Sequence, residues 1–127
     1  MAYLITSDFA KLENNDGYKN AKGNSECVIF VQKAANMPHT STWKRGIKVM
    51  EARRGQIAQG TVIATFDDHG NFPDSARHAA MYISHDENAI SVFDQWDKQG
   101  KVKRRPIRNK KLDKRNVDDA QWYWVVE

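Results

Sequence analysis

The sequence predicts one α+β domain in which N-terminal helices pack on an antiparallel sheet of about five strands. Helix-spaced apolar residues occur only in the first half of the chain, and from Gly60 onward short β-branched runs follow one another across tight polar connections. At 127 residues the chain suits a single core, and no shift in composition marks an internal boundary.

Residues 1–24 carry Asn14, Asn15, Asp16, Gly17 and Gly23 with little periodicity, so an irregular lead-in with turns is expected, 1–17 above all. Ser25 then reads as an N-cap, and Cys27, Val28, Val31 and Ala34 recur at helical spacing, which predicts a helix over 25–35. Trp43, Ile47 and Met50 suggest a second helix within 41–54, interrupted by Gly46. Strands are predicted at Thr61–Phe66, His78–Ile83, Ala89–Asp94, Val102–Arg108 and Trp122–Val126, the first closed by the turn cluster Asp67–Asn71. No internal repeat is visible.

Apolar residues make up 40% and charged residues 28% of the chain, a globular composition. The longest apolar runs fall far below the ~20 residues of a membrane span, so none is expected. Met1–Asp8 holds no basic residue, and Asp8 interrupts any apolar stretch, so a signal peptide is not expected. The product is then made in the cytoplasm, and export would need a dedicated machine. The single cysteine, Cys27, excludes an intramolecular disulfide and a four-cysteine zinc site. His39, His69, His78 and His85 include no H-x-x-x-H pair, so neither metal nor other cofactor is expected. Residues 101–115 carry nine Lys and Arg against Asp113, a local +8 that leaves −4 for the rest. A solvated face is the first reading of that run, affinity for an anionic polymer the second.

Catalysis by a thiol needs a thiolate, and the first turn of a helix favours one. Cys27 is predicted there. His78 opens a strand after a polar loop, where its ring can face the helix, and Asp94 closes the next strand, where a carboxylate can orient the ring. Each has an ordinary explanation by itself: a small buried hydrophobe, a strand-end histidine, a solvated aspartate. Their order along the chain is what draws them together.

The segments Gly23-Asn24-Ser25-Glu26-Cys27-Val28, Gly60–Phe66, Arg77-His78-Ala79-Ala80-Met81-Tyr82-Ile83 and Val92-Phe93-Asp94-Gln95-Trp96 resemble the CHAP and NlpC type of cysteine amidohydrolase. The resemblance spans roughly 18–126 and is strongest to the small bacterial amidases delivered by type VI secretion. It implies a papain-like fold and hydrolysis of amide bonds in peptidoglycan peptides, with Cys27 as nucleophile, His78 as base and Asp94 as orienting group. Gln95 is the neighbour to test beside Asp94, and Trp96 stands where some CHAP enzymes carry an extra polar residue. The backbone N–H of Cys27 would meet the oxyanion together with a donor from the turn 22–25 or Tyr18. The loop 67–77, with His69, would set specificity, and Trp43 and Trp96 would line a groove. An antibacterial effector reading further implies secretion machinery and an immunity protein as partners, and a target-cell periplasm as the place of action. The competing reading is a nucleic-acid-binding module, or a non-catalytic wall-binding module, using 101–115. No aromatic residue interleaves with that run, so a base-stacking platform is absent there and nucleic acid is not the expected partner.

Overall fold

Burial divides the sheet's side chains into two clusters, one on each face, and the alternation of the strands produces that division. The computed structural model describes residues 1–13 and 17–127; the turn signals at Asn14, Asn15 and Asp16 lie outside the described residues. Its elements are α1 (Phe9–Glu13), α2 (Cys27–Ala35), β1 (Arg45–Lys48), β2 (Val62–Thr65), β3 (Ala79–His85), β4 (Ala89–Asp94), β5 (Lys103–Arg108) and β6 (Tyr123–Val126). Short 3-10 turns at Thr40–Thr42, Val49–Glu51 and Ala120–Trp122 link them. The strands form one six-stranded sheet in the order β1-β6-β2-β3-β4-β5, and every pairing is antiparallel.

On one face Val28, Phe30 and Val31 of α2 pack with Val62, Ala64, Met81 and Phe93. On the other, Ile63, Ala80, Tyr82, Val92, Ile107 and Tyr123 are covered by the short turns that hold Val49 and Ala120. Strands β2 and β3 are buried on both faces, which is why their sequences read as nearly unbroken apolar runs. The lead-in is tied to the sheet: Leu4 bridges Thr61, and Ile5 N–H donates to Gly60 O at 2.8 Å. Gly60 has φ +98°, and a side chain there would collide with the Ile5 carbonyl.

Three expectations are corrected. The sheet has six strands rather than about five, because 41–54 contains β1 and not a helix. The reason is tertiary: Lys44 and Glu127 exchange backbone hydrogen bonds at 2.7 and 2.8 Å, and Gly46 lies so close to β6 that a Cβ would stand 2.9 Å from Val125 O. A helix cannot approach a strand that way. The N-terminal helices amount to α2, of nine residues, and the five-residue α1. Finally, α2 begins after Glu26, not Ser25; Ser25 is buried, its N–H bonded to Asp97 Oδ1 at 3.0 Å. Among the described residues no helix is long and apolar enough to cross a membrane.

Candidate active site

Cys27 is the first residue of α2, and the side chain of the N-cap residue Glu26 does not cap the helix. The opening amides therefore point their unpaired N–H groups, and the positive end of the helix dipole, toward whatever binds beside the thiol. The chain end of the helix is set by Gln95, whose Nε2 donates to Glu26 O at 2.8 Å and to Tyr18 O at 2.7 Å while its Oε1 accepts from Tyr18 N–H at 2.8 Å.

His78 stands immediately before β3. Its N–H donates to Thr65 Oγ1 at 3.1 Å, and that hydroxyl donates to Ala76 O at 3.1 Å. Ala76 has φ +48°, so the loop reaches the histidine through a left-handed residue other than glycine. The Thr65 N–H in turn donates to His78 O at 3.0 Å, so one threonine holds both polar groups of the His78 backbone.

Period-two alternation along β4 continues past its end and separates two neighbours. Phe93 and Gln95 turn toward α2, whereas Val92 and Asp94 turn to the opposite face with His78. There His78 Nε2 donates to Asp94 Oδ2 at 2.6 Å. Arg105 on β5 donates through Nε to both carboxylate oxygens, at 3.0 and 2.8 Å, and through Nη2 to Oδ2 at 2.7 Å. With Nε2 on Asp94, the other ring nitrogen, Nδ1, is left for the Cys27 thiol.

The electrostatics follow from these contacts. Burial alone would raise the Cys27 thiol, but the hydrogen bond and charge of His78, the N–H of Ala79 and the charge of Arg77 bring it below its ordinary value. Burial likewise opposes a charged His78, yet the bonds to Asp94 and Cys27 raise it to about 9. Burial would raise Asp94 too, and the donors His78 and Arg105 hold it below the usual carboxylate range. Thiol, imidazole, carboxylate and guanidinium, groups able to carry charges of alternating sign, therefore follow one another from the half-buried Cys27 inward to the buried His78 and Asp94. Such an arrangement is suited to supplying a nucleophile and a proton donor together.

The thiol opens onto a cleft of about 400 Å³ lined by Glu26, Cys27, Val28, Arg77, Trp96 and Asp97. Trp96 forms part of its wall and carries the Arg105 guanidinium 4.8 Å from its ring centroid. Trp43 lies elsewhere: it is buried in the core against Phe72, its Nε1 donating to Pro38 O at 3.1 Å. His69 is exposed in the loop after β2, its N–H on Asp67 Oδ1. The Tyr18 ring packs on Phe30, and both polar groups of its backbone are held by Gln95. The structure thus brings Cys27, His78, Asp94 and Trp96 together, puts Gln95 and Tyr18 behind them, and leaves Trp43 and His69 outside the cleft. Arg105 and Arg77 were missed. Arg105 pairs directly with Val92, two residues from Asp94 on the same face, so a correct register would have revealed it. Among the described residues, no three His, Cys, Asp or Glu side chains form a metal-holding group.

Over residues 4–126 the chain matches the family described as domesticated amidase effector 2. A protein of that name from Ixodes scapularis is 36% identical over 103 residues, which cover 79% of this chain and 70% of that one. The solved structure of type 6 secretion amidase effector 2 matches with a TM-score of 0.80 at 28% identity, over 97% of this chain and 93% of the other.

Proposed function

This chain belongs to the domesticated amidase effector 2 family, and from that premise we propose that it is a cysteine-dependent amidase hydrolysing amide bonds in peptidoglycan peptides. The observation that carries the reading is the line from the half-buried Cys27, at the N-terminus of α2, through the buried His78 to the buried Asp94. A papain-like mechanism of the CHAP and NlpC kind suits that arrangement and needs no cofactor.

In the first half-reaction the Cys27 thiolate attacks the scissile carbonyl carbon and a C–S bond forms. Negative charge moves to the carbonyl oxygen, where the unpaired N–H groups at the start of α2 can meet it. The imidazolium of His78 gives its Nδ1 proton to the departing nitrogen, the C–N bond breaks, and the free amine leaves a thioester behind. In the second, neutral His78 takes a proton from water as the water oxygen attacks the thioester. The C–S bond breaks, a carboxylic acid is released, and thiolate and imidazolium are restored. Asp94 keeps Nε2–H of the ring engaged throughout, so the ring presents Nδ1 to the thiol in both steps.

Action as an antibacterial effector accords with the names of the relatives. Under that reading the enzyme reaches a target cell's periplasm by specialised secretion, and a producing bacterium carries an immunity protein that covers the cleft. The test is to incubate the purified protein and its Cys27→Ala variant with intact sacculi and with soluble muropeptides under reducing conditions, and to weigh the products. Amine-terminated fragments from the wild type alone are expected. No cleavage by the wild type across several wall types would overturn the reading.

A further inference from the structure

The cleft is lined by charges of both signs. Arg77, Glu26 and Asp97 all line it together with the thiol, Arg77 coming from the segment that leads to His78 and the two acids from the segments around the start of α2 and the end of β4. Asp97 is held in place by the Ser25 N–H at 3.0 Å, and Glu26 is exposed at the N-cap. Arg77 is exposed, with its guanidinium carbon 4.6 Å from the Phe72 ring centroid. A ring contact of that kind uses the flat face of the guanidinium and leaves the N–H groups at its rim for other acceptors. Among the described residues no carboxylate is ion-paired with it. It is therefore a cation steadied by an aromatic ring, close enough to Cys27 for its charge to favour the thiolate.

We infer that Arg77 binds a carboxylate on the leaving residue of the substrate, so that the enzyme selects amides whose departing amine belongs to an amino acid with a free carboxyl group. This rests on the amidase reading above. The side assignment comes from chain order: Arg77 immediately precedes His78, the group that delivers a proton to the departing amine. Glu26 and Asp97, which line the same cleft, repel a second carboxylate and so disfavour substrates that would bring one against them. An arginine fork is suited to the task because it meets both oxygens of a carboxylate at once.

The test compares purified cross-linked muropeptides with the same muropeptides after every carboxyl group has been converted to a carboxamide. Wild-type kcat/KM is expected to fall about ten- to a hundredfold on the amidated set, the range for a charge-assisted hydrogen-bond pair. Arg77→Gln is expected to cleave both sets at one reduced rate, and Arg77→Lys to recover part of the preference. Loss of the Arg77 charge also acts on the thiol, but equally for both substrates, so the ratio isolates recognition. Equal wild-type rates on the two sets, or a preference that survives in Arg77→Gln, would overturn the inference while leaving the amidase reading intact. Failure of the wild type on both sets would instead count against the amidase itself. An undisturbed far-ultraviolet spectrum of Arg77→Gln would exclude misfolding as the cause of its lower rate.

Discussion

One oxygen of Asp94 serves both His78 and Arg105: Oδ2 accepts from His78 Nε2 at 2.6 Å and from Arg105 Nη2 at 2.7 Å. The carboxylate is fully buried, so neither bond competes with water. Arg105 therefore acts on the histidine through the aspartate. Asp94→Asn is expected to lower kcat by about a hundredfold or more, as an amide orients and stabilises the imidazolium poorly. Arg105→Gln is expected to cost about tenfold, because Asp94 keeps His78 but loses the guanidinium donors that help to hold and orient it. In the double variant the two losses should not add, since Arg105 has nothing left to hold. Full additivity in steady-state kinetics would refute this coupling.

A thiol lowered by its neighbours should react where an ordinary cysteine is quiet. Iodoacetamide at pH 6–7 is expected to alkylate the wild type about ten times faster than a His78→Ala variant, with mass spectrometry locating the adduct on Cys27. Equal rates would show that the histidine does not activate the thiol.

The pH dependence has two signs. Activity should rise as pH passes the lowered thiol value, and fall as it passes about 9, where His78 loses the proton needed by the leaving amine. Stability is linked to the same group. A histidine raised from 6.5 to about 9 on folding contributes stability that is complete below 6.5 and is lost as pH climbs through 9. The lowered Cys27 thiol contributes with the opposite sign over this range, so the comparison is between Cys27→Ala and the double variant Cys27→Ala/His78→Gln: melting temperatures between pH 6 and 10 should decline more steeply for the first, and parallel slopes would contradict the assignment.

Gln95 is a structural test of the site. Its fully buried amide makes three hydrogen bonds, two to Tyr18 and one to Glu26. Gln95→Ala should destabilise the protein by about 2–4 kcal/mol, because buried backbone groups lose partners and a cavity opens. Gln95→Glu should be no better, as a carboxylate cannot donate to the two carbonyls. Urea unfolding would measure both, and a loss below about 1 kcal/mol would show that the segment around Tyr18 is held by other contacts.

Much of this could be read from the chain because the strongest signals were local. Thr61–Phe66 and Ala89–Asp94 are β-branched runs bounded by turns, and both lie where strands form. Cys27, His78 and Asp94 stood at element ends, the places where a side chain can leave its own element and meet another. The 41–54 segment misled because Trp43, Ile47 and Met50 fall at helical spacing, whereas its structure is decided by pairing with β6, some eighty positions later. Arg105 was hidden for a related reason. Within a run of cations one arginine looks like the rest, and only its position across from β4 sets it apart. The unpatterned lead-in concealed contacts of the same long-range kind, such as Leu4 with Thr61 and Tyr18 with Gln95.

Strand β5 lies at the open border of the sheet, and it is the strand that supplies Arg105. A border strand invites another chain to add itself by backbone pairing, and such an addition would bend or displace the element on which Asp94 depends. Pro106, in the middle of β5, has no amide hydrogen to offer a newcomer, and Lys103, Arg104 and Arg108 around it would set like charges against a second copy. The basic run, read from the sequence first as a solvated face and second as a grip on an anionic polymer, thus has another consequence: its like charges oppose edge-to-edge pairing of two copies through the strand that supports Asp94.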